Sequence, residues 1–206
     1  MKGTEEKRRV VDPPLMAAIA AARQGDQSAF GEVIELSQTR LFRFLVYLCG
    51  KPDLAQDLAQ ETYVKLWNNL KKLKEPEKFW SWLFKMAKNL FIDHVRAAKN
   101  SDSYTPIEEA DHLLTDLSAG QRDVTLEIQT VLAQLKPEER SLILLIYFEE
   151  HTCAEVADIL GISENAVWTR LHRVRQEFES KYSKSQLIKN QERISKRPTS
   201  GSMGGD

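Results

Sequence analysis

The sequence predicts an all-α protein. It has two small helical domains joined by a flexible acidic linker, and the second domain contains a helix-turn-helix. Three observations predict this. Apolar residues recur at steps of three and four in nearly every patterned segment, and no segment alternates as a strand does. The stretch Thr152 to Phe178, TCAEVADILGISENAVWTRLHRVRQEF, reads as a helix, a tight turn and a second helix. Between the patterned blocks, Ser101 to Asp123 holds Pro106, Gly120 and many acids with no sustained period.

The elements follow in chain order. The start, KRRVVDPPLMAAIAAA, superficially resembles a signal peptide, but its apolar run covers only Leu15 to Ala22 and is mostly Ala. It is read as the first turns of an amphipathic helix, with Pro13 and Pro14 just before it. Phe30, Val33, Ile34, Leu41, Phe44, Leu45 and Leu48 trace one apolar face of a helix ending near Cys49. Gly50-Lys51-Pro52-Asp53 is a turn. A second helix runs from about Leu54 to Leu70, Lys71 to Glu77 is a loop with Pro76, and a third helix runs from about Lys78 to Ala98. After the linker, helices are expected near Thr125–Leu135, Pro137–Glu149, Thr152–Leu160 and Ser163–Tyr182, with Pro137 in a first turn. The expected organisation is a segment 1–22, a first domain 23–99, a linker 100–124, a second domain 125–182 and a disordered polar tail 183–206.

Composition narrows the chemistry. The 29 Lys and Arg against 30 Asp and Glu do not by themselves point to nucleic acid, but the charge is unevenly placed. Lys65 to Lys99 is rich in lysine, whereas Ser101 to Thr130 carries acids with Arg122 as its single Lys or Arg. That pattern suits two DNA-facing modules and a linker that is not one. Cys49 and Cys153 are isolated and read as buried thiols of a reducing compartment. His94, His112, His151 and His172 are scattered, so no metal, cofactor or catalytic residue is expected. Leu142 to Phe148 is apolar but too short to span a bilayer, and a cytoplasmic location with no membrane insertion is expected.

Within the helix-turn-helix the details are mechanical. Thr152 and Glu155 form a capping box, Gly161 ends the first helix in a left-handed conformation, and Ser163 caps the second. Val167, Leu171, Val174 and Phe178 make its buried face. The opposite face carries Asn165, Thr169, His172, Arg173 and Gln176, with Trp168 and Arg170 flanking it. An ordinary helical hairpin with a solvated basic face is the plainer alternative.

Two constellations lie in the first domain. Asp53, Asp57 and Glu61 are four apart and stack as one acidic stripe on the second helix. A solvated face usually mixes signs, so the stripe points to a basic protein partner, with simple solvation the alternative. On the third helix Phe79, Trp82, Leu83, Met86 and Leu90 point to the core. Lys85, Lys88, Asn89, Arg96 and Lys99 lie roughly opposite, with Ile92 among them. Beside Trp80, Phe84 and Phe91, such a basic stripe has the two features of a single-strand binder, a charged groove and stacking platforms. The alternative puts every aromatic in the core; Trp82 is expected there, and Trp80 stands open between the two roles.

These features together resemble an extracytoplasmic-function (ECF) sigma factor of the sigma-70 family, the compact class of bacterial RNA polymerase specificity subunits. The resemblance spans about Arg23 to Tyr182. It rests on RQGDQSAF at Arg23–Phe30, DLAQETYVKLW at Asp57–Trp67, FWSWLFKMAKNLFIDHVR at Phe79–Arg96, and LKPEERSLILLIYFEEHTCAEVADILGISENAVWTRLHRVR at Leu135–Arg175. It implies that the first domain, region 2, binds the clamp helices of the largest polymerase subunit and captures the unwound −10 strand. The second domain, region 4, would read the −35 element as duplex. Asp53, Asp57, Gln60 and Glu61 would then contact polymerase core. Asn89 matches a position lining the pocket for a flipped −10 base, the Lys71–Lys78 loop would be that pocket's wall, and Trp80, Lys85, Lys88, Arg96 and Lys99 would accompany them. Arg170, Arg173 and Arg175 match the basic positions of the −35 helix, joined by Asn165, Trp168, Thr169 and His172. An anti-sigma factor accompanies many relatives, although no residue here demonstrates one.

The chain departs from the family at the start of the recognition helix. The usual pattern is Gly-Thr-Val-Lys/Arg-Ser-Arg; here it is Asn165-Ala166-Val167-Trp168-Thr169-Arg170. Trp168 replaces a cation, and an indole there can pack on a thymine methyl or a sugar edge instead. Two other readings compete. A stand-alone helix-turn-helix regulator needs a dimerisation element that is not evident, and an enzyme with an appended DNA-binding domain needs a catalytic cluster that the scattered histidines do not supply.

Overall fold

The structure, a computed structural model of the 206-residue chain, describes residues 12–100 and 128–195, excepting the side chains of 99–100 and 184–195. All of its regular structure is helical among the described residues, as the periodicity predicts. Helix α1 spans Pro13–Arg23 and buries Leu15, Ala18, Ile19 and Ala22. Pro13 and Pro14 lie inside its first turn rather than before it, because the first N–H groups of a helix have no partner to lose. Helix α2, Gln27–Cys49, starts at Asp26, whose carboxylate accepts the Ser28 and Ala29 N–H groups at 2.8 and 3.1 Å. It stops at Gly50, whose φ of 70° is cheap only for glycine.

Helix α3, Pro52–Asn69, begins with a proline in its first turn and buries Ala55, Leu58, Thr62, Tyr63 and Leu66. Tyr63 Oη and Ser37 Oγ lie 2.9 Å apart in the core and tie α3 to α2. The predicted loop holds two 3-10 turns, Leu70–Lys72 and Pro76–Lys78, and leads into α4, Phe79–Asn100. Helices α1 to α4 pack sequentially, and α4 returns onto α2, where the Phe44 and Phe84 rings meet at 4.6 Å.

The second domain resumes with helical residues 128–133, followed by α5, Pro137–Ile143. The predicted single helix to Glu149 widens instead into a π turn over Leu144–Phe148. The cause is local. Glu149 N–H bonds Leu144 O and His151 N–H bonds Leu145 O, and Glu150 takes a φ of 53° to aim the chain at the next cap. Helix α6, Cys153–Leu160, then carries the expected capping box, and Gly161 closes it at φ 69°. Helix α7 runs Glu164–Ser195.

Two further expectations of the sequence need correction here. Residues 183–195 of the polar tail, expected to be disordered, continue α7 as helix. Lys, Gln, Glu and Arg are good helix formers, and adding turns to an existing helix avoids the unfavourable nucleation step. Cys153 is half-buried rather than buried, while Cys49 is buried as expected. The linker and residues 196–206 lie outside the described residues.

Core residues of both domains form one continuous apolar cluster. Polar contacts cross between the domains as well. Arg140, 2 % exposed, donates to Leu132 O, Ala133 O and Leu135 O of its own domain and to Leu48 O of α2. Truncating it leaves several buried carbonyls without that donor. Arg140→Ala should therefore lower unfolding free energy by about 3 kcal/mol, against about 1 kcal/mol for loss of the Thr152 cap in Thr152→Ala. Urea unfolding followed by circular dichroism checks both; equal effects would contradict the assignment.

Candidate nucleic-acid interface

The helix-turn-helix is built as its sequence dictates. The Thr152 hydroxyl accepts the Glu155 N–H at 3.2 Å while the Glu155 carboxylate accepts the Thr152 N–H at 2.8 Å. Ser163 Oγ accepts the Ala166 N–H and starts α7. Val167 and Val174 are fully buried, Leu171 is buried at 8 % exposure and Phe178 is half-buried, so the opposite face is turned outward. Asn165, Trp168, Thr169, Arg170, His172, Arg173 and Arg175 are all exposed, and Trp168 reaches 57 %.

These outward groups differ in what they already hold. Thr169 Oγ1 donates to Asn165 O within the helix. His172 and Gln176 approach at 3.2 Å. Arg173 donates to Glu139 at 2.8 Å, and Arg175 to Glu179 at 2.9 Å. Glu139, a carboxylate only 8 % exposed, carries no sequence signal beyond its place in the PEER segment.

The α3 stripe is as expected: Asp53, Asp57, Gln60 and Glu61 are all exposed. Val64, 61 % exposed, follows one turn beyond Gln60 and Glu61, so the face ends in an apolar side chain that charge spacing does not reveal.

The α4 face differs from expectation. Phe84, Phe91 and Ile92 are core residues at 0 %, 3 % and 7 % exposure, so the stacking platform loses two of its three aromatics. The physical reason is that α4 is covered twice, by α2 and α3 on one side and by α5 and α6 on the other. Trp80 stays half-buried, stacked on Phe84 at 5.8 Å. Trp82 and Met86, expected in the core, are half-buried against it. Lys85 and Lys88 are half-buried, Asn89 and Arg96 are exposed, and the Lys99 side chain lies outside the described residues. Burial, and then the neighbouring Lys85 and Arg96 charges, pull the Lys88 ammonium below its ordinary value. That is a site suited to gaining an anion. Arg40 was not legible as part of this surface, yet its guanidinium lies 4.0 Å from the centre of the Trp80 ring.

Among the described residues no group of His, Cys, Asp and Glu could hold a metal ion, and no helix is long and apolar enough to cross a membrane.

Residues 33–101 match the model of sigma-70 region 2, and residues 125–178 match that of sigma-70 region 4. The chain belongs to the sigma-70 family of RNA polymerase sigma factors. It is 28% identical over 171 residues to the ECF sigma factor SigW of Bacillus subtilis, covering 77% of this chain and 91% of that protein. It is also 28% identical over 186 residues to the ECF sigma factor SigE of Mycolicibacterium smegmatis, covering 84% and 70%. Among solved structures, the sigma factor RpoE in complex with the anti-sigma factor NepR from Bartonella quintana shares the fold, with a TM-score of 0.64 at 23% identity over 75% of this chain and 96% of that one. CnrH in complex with the cytosolic domain of CnrY gives 0.60 at 23% identity over 81% and 96%. The chain is thus an ECF sigma factor, a subunit that directs RNA polymerase to promoters for transcription initiation.

The capping box of this sigma factor sets a pH dependence. Burial raises the Glu155 carboxyl, but the Thr152 N–H, the His151 charge and the Thr152 hydroxyl outweigh it, and the net shift is downward from 4.5. A depressed carboxyl stabilises the fold above its unfolded value, and that contribution is lost as pH falls through the folded value. Thermal unfolding should therefore show the helix-turn-helix weakening below pH 4.5 in the native chain. Glu155→Gln should flatten that dependence; an unchanged profile would remove Glu155 from the account.

Proposed function

We propose a division of labour among three helix faces of this sigma factor. The acidic face of α3, with Asp53, Asp57, Gln60 and Glu61, docks on the clamp helices of the largest polymerase subunit. The α4 face, with Trp80, Lys85, Lys88, Asn89, Arg96 and Lys99 beside the Lys71–Lys78 segment, holds the unwound −10 strand. Helix α7, through Asn165, Trp168, Thr169, Arg170, His172, Arg173 and Arg175, reads the −35 duplex. The domain bounds that go with this division are 23–99 for region 2 and 125–182 for region 4. The observation that carries the reading is the outward row on α7, held in place by a buried Val167, Leu171 and Val174 seam.

Each face suits its target. Carboxylates with an apolar neighbour, Val64, match a basic helical partner. Cations position a phosphate backbone, and side chains on α7 reach base edges, each good pair worth roughly 1–3 kcal/mol. The two DNA modules gain from effective concentration once polymerase holds both. The chain catalyses no covalent step, needs no cofactor and acts in the cytoplasm, where polymerase and promoter DNA are. An anti-sigma partner belongs to the same proposal, on the strength of the two related complexes.

Run-off transcription with core enzyme, with and without the chain, tests the whole reading. Asp57→Arg combined with Glu61→Arg should abolish co-elution with core while circular dichroism stays native; retained binding would displace the acidic face from this role. Arg170→Ala should weaken duplex binding and reduce the slope of log affinity against log salt by about 1. An unchanged slope would take Arg170 off the phosphate backbone.

A further inference from the structure

Trp168 is set apart from its neighbours on the outward face of α7. It lies four residues after the helix start at Glu164, and its indole is 57 % exposed. The next residue back, Val167, is fully buried, so the indole stands about 100° round the helix from the seam that fixes the roll of α7. Nearby polar groups are already engaged within the helix. Thr169 Oγ1 donates to Asn165 O at 2.9 Å, His172 approaches Gln176 at 3.2 Å, and Arg175 holds Glu179. Among the described residues the Trp168 Nε1–H has no such partner.

We infer that Trp168 is a specificity-determining residue that selects thymine at one position of the −35 duplex. The inference rests on the reading of α7 as the duplex-reading helix. In such a helix the N-terminal residues meet the base edges. An indole brings two things to a major-groove edge: an apolar ring, and one N–H that donates and cannot accept. Thymine presents the complement, an O4 acceptor beside the C5 methyl group. Adenine and guanine offer acceptors without a methyl, and cytosine offers a donor that the indole N–H cannot pair. A methyl group on C5 of cytosine supplies the apolar half and leaves the N4 donor in place. The indole therefore tells thymine from uracil by the methyl, and thymine from 5-methylcytosine by the acceptor. Thr169 also carries a methyl and a donor, but its hydroxyl proton is spent on Asn165 O.

The test uses holoenzyme assembled from polymerase core and the full chain. A promoter fragment is first enriched by that holoenzyme from a template pool randomised across the −35 element. Each −35 thymine of the winner is then replaced in turn by uracil, and separately by 5-methylcytosine paired with guanine, and affinities are read by competition. At one position uracil should weaken binding about fourfold, the return for burying one methyl-sized group. At the same position 5-methylcytosine should weaken it about tenfold. Trp168→Ala should erase both differences there. Trp168→Phe keeps a ring and drops the donor, so it should still separate thymine from uracil and accept 5-methylcytosine. Differences that persist in Trp168→Ala, or thymines that the native chain does not tell from uracil, would overturn the inference. So would a winner with no −35 thymine. Arg170→Ala separates these outcomes from the reading of α7. If it weakens binding while Trp168→Ala changes nothing, α7 reads the duplex and the thymine assignment alone fails. If neither substitution changes binding, the reading of α7 fails as well.

Discussion

A single buried guanidinium is the constraint on which the arrangement of both domains depends. Arg140 cannot shed its proton and sits at 2 % exposure, so each of its donors must find an acceptor inside the protein. Leu132 O, Ala133 O and Leu135 O, at 2.7, 2.9 and 3.2 Å, fix the chain where residues 128–133 end and turn toward Pro137. Leu48 O, at 2.7 Å, belongs to the last turn of α2, where carbonyls lack helical partners and the helix dipole is negative. The same charge therefore sets the base of the second domain and caps the helix that leads, through Gly50 and Pro52, into the acidic face of α3. Its neighbour Glu139 reaches the other way, to Arg173 on α7. Two successive residues of α5 thus tie the second domain to α2 and to α7.

Legibility in the sequence tracks how local each determinant is. The helix-turn-helix is legible almost residue by residue, because Thr152 with Glu155, Gly161 and Ser163 each act within one turn of their own position. The α3 stripe is legible for the same reason: a step of four places Asp53, Asp57 and Glu61 together whatever the rest of the chain does. Helix α4 is not. Its period shows one apolar face, yet Phe84, Phe91 and Ile92 are buried as well, because a second domain more than thirty residues away covers what would otherwise be a surface. Arg40, Glu139, Arg140 and Glu149 escape notice for a related reason. A charged residue reads as solvated until its partners are known, and Glu149 for Arg40, Arg173 for Glu139 and Leu48 O for Arg140 are all distant in sequence. The helical continuation through 183–195 is missed in a third way: few apolar residues mark it, and it is propagated from α7 rather than nucleated.

Along the outward face of α7, prior engagements rank the side chains. Arg173 and Arg175 already hold Glu139 and Glu179, so a DNA phosphate must compete with an existing carboxylate. The Arg175–Glu179 pair, exposed on both sides, is weak and readily exchanged. Glu139 is 10 % exposed at its side chain and binds Arg173 in a drier setting, so that exchange is harder. Trp168 has the opposite character. Its indole is 57 % exposed, and burying it against a groove wall returns hydrophobic free energy with no ion pair to break. Under the proposed reading of α7, an indole at this position adds contact area and no salt-dependent affinity.

The two faces of the first domain also differ in what their groups already hold. With the domains together, Asp53, Asp57, Gln60 and Glu61 remain exposed, as do Asn89 and Arg96, whereas Trp80 lies under Arg40 and Lys85 is held by the Asp158 carbonyl of α6. Under the proposed division of labour a strand phosphate would compete for Lys85 with that carbonyl, and a base for the Trp80 ring with the Arg40 guanidinium, while Asn89 and Arg96 meet the strand from solvent.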